Sequence, residues 1–383
     1  LVDARSESMR GPSIERAAAL LDRGEIVGLP TETVYGIAAS ARHPDSVRRL
    51  WTVRGIADEP AGVRGLLACH LPGADALLIL APMRSAAHRR LVERLAPGPV
   101  TFSIEVTDVE SQALCDRIGA ARGVFEDGAQ ALFRCPTPGL TRAVLERARD
   151  PIVLASVSRR GSAARTAQEA REFLTDAAPE ESGGANQPLE LFDDGSPALG
   201  RRSTLVQLTH DGGYRVAWEG AFEARYIDKQ LDMNILFLCT GNTCRSPMAA
   251  AIARGLIGEE EFGGLRIRAH SAGIGAAEGA PATPEAAEAV RRMGIEMGPH
   301  SSTFLTRDLI SQADLVFGMT RSHVDAARSL DPSASARIML LDPDGNDIPD
   351  PIGMSQRVYD QTAAAISAAI RRRLAGIAAS PGS

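Results

Sequence analysis

Short apolar runs, each closed by glycine, proline or a polar cluster, alternate along the chain with stretches whose apolar residues recur every three to four positions. The short runs read as buried strands and the 3.6-spaced stretches as helices, so both halves predict α/β architecture. In the first half the pattern predicts helices over Ser13–Arg23 and Pro44–Trp51. Strands are predicted at Ile26–Pro30, Leu77–Leu80, Val100–Val106 and Ile152–Ala155. The stretch Ala178–Pro188 is rich in Glu, Gly, Ser and Pro and predicts a surface loop. The charged segment Glu223–Asp232 is the expected boundary, after which Asn234–Leu238 opens a fresh buried strand. The domains expected are therefore residues 1–228 and 233–383.

Length agrees, because 383 residues exceed one ordinary core and suit two domains. The net charge of -6 gives no global reason to bind nucleic acid, although it leaves a local basic patch open. Lys229 is the only lysine, so any motif that elsewhere uses lysine must here be altered. Leu1–Pro12 has no apolar h-region, and the apolar stretch Ala76–Pro82 is too short to span a bilayer. A cytoplasmic protein with no membrane partner is expected. Five cysteines, at 69, 115, 135, 239 and 244, are too scattered for a disulfide framework. Three read as small buried hydrophobes, and Cys239 and Cys244 stand apart.

Those two belong to the segment Ile235-Leu-Phe-Leu-Cys239-Thr-Gly-Asn-Thr-Cys-Arg245-Ser-Pro247, followed by a helical stretch Met248–Gly255. A strand, a tight loop and a helix with Pro247 in its first turn make an anion cradle of inward N–H groups at the positive end of a helix dipole. The five-residue spacing lets one loop wrap a phosphate with Cys239 beneath the phosphorus and Arg245 forking two equatorial oxygens. The same field favours the thiolate, the reactive form, and Ser246 can hydrogen-bond it as it leaves. A thiol nucleophile needs a separate acid. Asp350-Pro351 supplies one from an extended loop: Asp350 protonates the leaving atom, then takes a proton from the water that hydrolyses the phosphocysteine. The scheme needs no metal or cofactor, and no metal-ligand cluster stands out. Cys244 has two readings, buried filler or partner of Cys239 in a reversible disulfide. His300 and His323 read as solvated or capping residues.

With His270-Ser-Ala-Gly273, Ala282-Thr-Pro284, Ala313-Asp-Leu-Val316, Met319-Thr320, Asp350-Pro-Ile-Gly353 and Tyr359, the segment resembles the low-molecular-weight protein tyrosine phosphatase family. The resemblance implies a doubly wound parallel sheet, a phosphorylated protein substrate, and an Asn242–Ser271 hydrogen bond that shapes the loop. Thr240, Gly241, Asn242, Thr243 and Cys244 form the phosphate loop. Its wording is similar to the phosphoarginine branch, in which Thr243 marks the selecting position. Ile352, where an aromatic residue usually packs on phosphotyrosine, points the same way.

In the first half, Pro30-Thr-Glu-Thr-Val-Tyr-Gly36, Leu95-Ala-Pro-Gly-Pro-Val-Thr101, Phe133-Arg-Cys-Pro136, Pro151–Gly161 and Ser203-Thr-Leu-Val206 resemble the threonylcarbamoyl-adenylate synthase family. That family has a twisted-sheet α/β fold, uses ATP, L-threonine and bicarbonate, and serves tRNA modification. The resemblance implies nucleotide or threonine contacts at Thr31, Tyr35, Arg54, Ser156, Ser158 and Ser203. Its Lys-x-Arg motif is here Arg54-Gly-Ile56, lacking the second cation, and its Ser-x-Asn motif is Ser156-Val-Ser158. At roughly 1.5 to 3 kcal/mol per charge-assisted bond, two lost groups are enough to silence synthesis or leave only weak nucleotide binding. Two alternatives follow: a working synthase, or a non-catalytic module that binds nucleotide or RNA, including double-stranded RNA, or simply stabilises the phosphatase.

Overall fold

A computed structural model of the chain describes residues 1–54, 65–159, 162–175, 189–196, 198–259 and 262–378. The chain separates into two compact units, the first of Leu1–Arg84 and His88–Lys229, the second of Ser85–Ala87 and the chain from Gln230 on. The expected loop Ala178–Pro188 lies outside the described residues.

The first unit is built on a ten-stranded mixed sheet. In chain order its strands are β1 (Val2–Asp3), β2 (Val27–Leu29), β3 (Gly36–Ser40), β4 (Ala68–His70), β5 (Val100–Glu105), β6 (Gln130–Arg134) and β7 (Ile152–Ser156). The small hairpin β8 (Ser158–Arg159) and β9 (Ser162–Ala163) intervenes before β10 (Glu190–Asp193), β11 (Thr204–Leu208) and β12 (Tyr214–Trp218). Spatial order is β1-β10-β2-β3-β7-β4-β6-β5-β11-β12. Helices α1 (Glu7–Asp22), α2 (Pro44–Arg54), α3 (Ala74–Leu80), α4 (Ala86–Leu95), α5 (Asp108–Ile118), α6 (Gly139–Arg147), α7 (Ala167–Thr175) and α8 (Ala224–Lys229) join them. One apolar cluster packs α1 and α6 on β2, β3 and β7, through Leu21, Leu29, Val144 and Leu154.

One element departs from the pattern. The apolar run at Leu77–Leu80 is helix α3, not a strand. Of its side chains only Leu77 is buried, and Ile79 is 80% exposed. A run that buries one side chain in a turn is satisfied by a single helical face and needs no ladder.

The second unit has four parallel strands, β13 (Asp232–Cys239), β14 (Arg266–Gly273), β15 (Leu315–Gly318) and β16 (Ile338–Leu340), in the order β14-β13-β15-β16. Its helices are α9 (Arg245–Glu259), α10 (Pro284–Arg292), α11 (Arg307–Gln312), α12 (Arg321–Leu330) and α13 (Gln356–Ala378). Alternate residues of β13 feed separate cores: Ile235 and Phe237 pack with α9, α10 and α13, while Leu236 and Leu238 pack with α11 and α12. Helices on both faces of a parallel sheet make this a doubly wound α/β unit. Its order reverses at β13, so the loop leaving the carboxyl end of that strand sits at a topological switch point. Among the described residues no helix is long and apolar enough to cross a membrane.

Candidate active site

Strand β13 ends on Cys239, α9 begins at Arg245, and the five residues between them turn the chain. Neighbouring strands clamp the loop. Ile274 N–H donates to Cys239 O and Gly275 N–H to Thr240 O, each at 3.0 Å, and Met319 N–H donates to Leu238 O at 2.9 Å. Within the loop Asn242 takes a left-handed φ of 54°, which brings its own N–H to Cys239 Sγ at 3.2 Å. The Ser246 hydroxyl lies 2.9 Å from the same sulfur. Asn242 Nδ2 donates to Ser246 Oγ at 2.8 Å, and the single serine proton is shared between the sulfur and Ala272 O at 3.3 Å. Cys239 is thus 3% exposed, with the Asn242 N–H and the Ser246 hydroxyl against its sulfur, at the positive end of a 15-residue helix.

Arg245 is 4% exposed, its Nη1 donating to Ile348 O at 3.1 Å and its Nη2 paired with Asp350 Oδ2. Its Nε is buried without a partner. The Asp350 side chain is 40% exposed, and its Oδ1 accepts Ile352 N–H at 3.3 Å. Nucleophile candidate, guanidinium and carboxylate therefore meet from a strand end, a helix start and a distant loop. Ile352 and Met354, both more than half exposed, follow that loop.

The expected Asn242–Ser271 pair is absent. Asn242 Nδ2 goes to Ser246, and its Oδ1 accepts Thr303 N–H at 2.9 Å. Parallel register explains this: Ser271 lies beside Phe237, two residues short of the loop, and Gly273 stands opposite Cys239. Thr243 is half-buried, with Oγ1 3.7 Å from Cys244 Sγ. Cys244 Sγ faces the buried Tyr359 hydroxyl at 3.4 Å and Thr283 Oγ1 at 3.7 Å. Burial, then Cys244, pushes the Tyr359 hydroxyl up to about 12.

His323 is a site neighbour whose reach the sequence did not reveal. It is 2% exposed, its Nδ1 accepts Thr320 N–H at 3.0 Å to cap α12, and its Nε2 lies 3.0 Å from Thr240 Oγ1. Burial and then Arg245 push its pKa down to about 4, against Asp350 and Asp347, so the ring is neutral and Nε2–H donates to Thr240. His300 Nε2 donates to Asn242 O at 2.7 Å.

In the first unit, Thr31 is buried and within 3.4 Å of Arg134 Nη2, which also donates to Thr33 Oγ1 at 2.6 Å and Glu32 Oε1 at 2.8 Å. Tyr35 does not serve as expected: it is 2% exposed and its hydroxyl donates to Phe192 O at 2.6 Å, a bond that ties β10 to the loop after β2. Burial, then Asp193 and Asp194, raises that hydroxyl well above its ordinary value. Ser156 is exposed at the end of β7 opposite Gly36, Ser158 is half-buried in β8, and Ser203 Oγ pairs with Thr101 Oγ1 at 2.8 Å. Arg54 closes α2, and Gly55 and Ile56 lie outside the described residues. Two side chains missed in the sequence stand side by side here, His70 ending β4 and Arg134 ending β6. His70 Nε2 and Arg134 Nε are buried without partners, and burial, then Arg134, pushes His70 down to about 3. The polar residues closing those two apolar strands were the available signal. Cys69 and Cys135, pushed up to about 12 by burial, are packing residues.

A cysteine and an arginine at the two ends of one anion-cradling loop, on a doubly wound parallel sheet, define a phosphatase of the cysteine type. Residues 234–380 match the family described as low molecular weight phosphotyrosine protein phosphatase, and residues 19–220 match the Sua5–YciO–YrdC family, described as telomere recombination. The chain belongs to both families, one in each unit. It is similar to the protein-arginine-phosphatase of Bacillus subtilis (strain 168), 38% identical over 134 residues, covering 34% of this chain and 87% of that protein. The low molecular weight protein-tyrosine-phosphatase Ptp of Acinetobacter johnsonii is 34% identical over 138 residues, covering 36% and 92%. The threonylcarbamoyl-AMP synthase of Bacillus subtilis is 28% identical over 212 residues, covering 55% of this chain and 54% of that protein, so the chain spans about half of that relative.

Proposed function

We propose that the second unit dephosphorylates protein through a phosphocysteine intermediate, with phosphoarginine as the preferred residue over phosphotyrosine. The observation that carries the mechanism is the Cys239 sulfur, held by the Asn242 N–H and the Ser246 hydroxyl within one turn of the buried Arg245. Substrate phosphate takes the place of Asp350 on the Arg245 fork, and Cys239 Sγ attacks phosphorus in line. The bond to the leaving nitrogen or oxygen breaks as Asp350, freed from the arginine, gives that atom its proton. Water then attacks phosphorus, its proton returns to Asp350, and sulfur leaves as the thiolate that Ser246 and Asn242 receive. Thr243 supports phosphoarginine because a half-buried hydroxyl in the loop can accept a guanidinium N–H. Ile352, 63% exposed, supplies no aromatic ring to cover a phosphotyrosine.

The test is hydrolysis of phosphoarginine, phosphotyrosine and phosphoserine peptides by wild type, Cys239→Ser and Asp350→Asn. Cys239→Ser is expected to lose essentially all turnover. Asp350→Asn should lose about 10²- to 10⁴-fold, the usual worth of general acid catalysis. Turnover by the serine variant equal to wild type would falsify the nucleophile assignment.

For the first unit the reading is a threonylcarbamoyl-adenylate synthase acting in tRNA modification, with ATP, L-threonine and bicarbonate as substrates. The unpartnered nitrogens of His70 and Arg134, buried at adjacent strand ends, favour a polar ligand there. Threonine-dependent pyrophosphate release tests it. ATP binding without that release would leave a nucleotide- or RNA-binding module and remove the synthase.

A further inference from the structure

A cavity of about 370 Å³ lies at the β14 edge of the four-stranded sheet, and the chemistry proposed above does not use it. Arg254, His270, Ser271, His300, Thr303 and Leu309 line it, and among the described residues of its lining none is acidic. Arg254 is fixed there, its Nη1 donating to Ala269 O at 3.3 Å and its Nη2 to Met297 O at 3.1 Å. Burial, then the charges of Arg254 and Arg268, pushes the His270 imidazole below its ordinary value. Among the described residues the Ser271 hydroxyl has no partner, so the wall offers a donor beside the guanidinium.

The same wall holds the Cys239 loop. His300 donates to Asn242 O, and Thr303 donates to Asn242 Oδ1. Asn242 is the one non-glycine residue among those described with a positive φ, a conformation that persists only where its surroundings enforce it. A ligand that draws on His300 or Thr303 therefore acts on the residue that aims an N–H at the Cys239 sulfur.

We propose that this cavity is a second, regulatory oxyanion site whose ligand is inorganic phosphate, bound by Arg254 and the Ser271 hydroxyl and coupled to the loop through His300 and Thr303. The coupling rests on the phosphatase reading, in which phosphate is the product. The binding does not.

Calorimetric titration of the full chain with inorganic phosphate tests the binding. Wild type is expected to show two events, and Arg245→Ala to keep only the cavity event. His270→Glu places a carboxylate in the wall beside the Arg254 guanidinium, where it competes with an anion. It should weaken the cavity event at least about tenfold, the loss of one charge-assisted bond, and Arg254→Gln should match it. A wild-type titration with one event that Arg245→Ala abolishes overturns the site. In turnover of para-nitrophenyl phosphate, added phosphate should lower kcat and raise KM in wild type, but raise only KM in His270→Glu. Two binding events with an unchanged wild-type kcat overturn the coupling. Absence of turnover in wild type overturns the phosphatase reading and leaves the titration to decide the site.

Discussion

Thr243 and Thr240 put two hydroxyls on the rim of one loop, and the two are held differently. Among the described residues the hydrogen-bond partner of Thr243 Oγ1 is a thiol at 3.7 Å, a weak one that a substrate can displace. Thr243→Ile should shift the ratio of phosphoarginine to phosphotyrosine kcat/KM toward phosphotyrosine by about tenfold, the worth of one hydrogen bond to a charged group. An unchanged ratio removes the specificity argument. Thr240 is aimed by the neutral His323, and that neutrality has a pH signature. The His323 pKa is lowered from 6.5 to about 4, so the unfolded chain takes up a proton that the folded one refuses. Its stabilisation is complete above 6.5 and is lost as pH falls toward 4. Thermal melts from pH 7 to 4 should show a smaller drop in Tm for His323→Asn than for wild type; equal drops would contradict the assignment. His70, lowered to about 3, adds loss of the same sign in both proteins and cancels in the comparison. Cys239, Arg245 and Ser246 were legible in the sequence because a loop around one anion leaves its ends a single arrangement, and Asp350 because an Asp-Pro step presents a carboxylate from an extended loop. The His323–Thr240 contact was not, since it spans 83 positions and depends on how α12 is capped.

At the level of elements, the strand that feeds the loop and the helix that leaves it were legible, because a continuous apolar run ending in glycine and Ser-Pro has one economical solution. Packing between strands was not legible. Gly273 ends β14 beside Cys239, and a Cβ there would lie 2.5 Å from Thr240 O and 2.9 Å from Asn242 N, both backbone atoms. Neither can swing aside as a side-chain tip would. Gly273→Ala should therefore push the loop off its N–H geometry and cut kcat/KM by about 10² or more, the usual cost of misplacing a reacting group by 1 Å. Far-UV circular dichroism should keep its wild-type shape, which separates a misaimed loop from an unfolded unit. Activity within a factor of about two of wild type would show that the loop is not set by this strand. The α3 helix makes the complementary point. Its four apolar residues look like a strand until burial is known, and burial is a property of the neighbours.

Across the whole molecule, each unit has apolar clusters made from its own residues. Leu21, Leu29 and Phe192 belong to one, and Phe237, Met248 and Tyr359 to another. Separate cores predict separate cooperative transitions, because cooperativity follows shared buried contacts rather than chain continuity. Calorimetry of the full chain should give two endotherms, assignable by one core truncation in each unit. Phe237→Ala removes a ring that is 1% exposed and stacked 5.9 Å from Phe317, at a cost of about 3 to 5 kcal/mol. It should lower one endotherm only. Leu29→Ala, at a fully buried position in β2, should lower the other by a comparable amount. Inorganic phosphate supplies the functional label. At 100 times its Kd a ligand of the folded state adds about 2.7 kcal/mol, which for a unit of this size raises Tm by roughly 5 to 10 °C. That rise should fall on the endotherm that Phe237→Ala lowers and spare the one that Leu29→Ala lowers. A single endotherm shifted by all three perturbations would mean that the chain folds as one cooperative body and that substitutions in one unit reach the chemistry of the other.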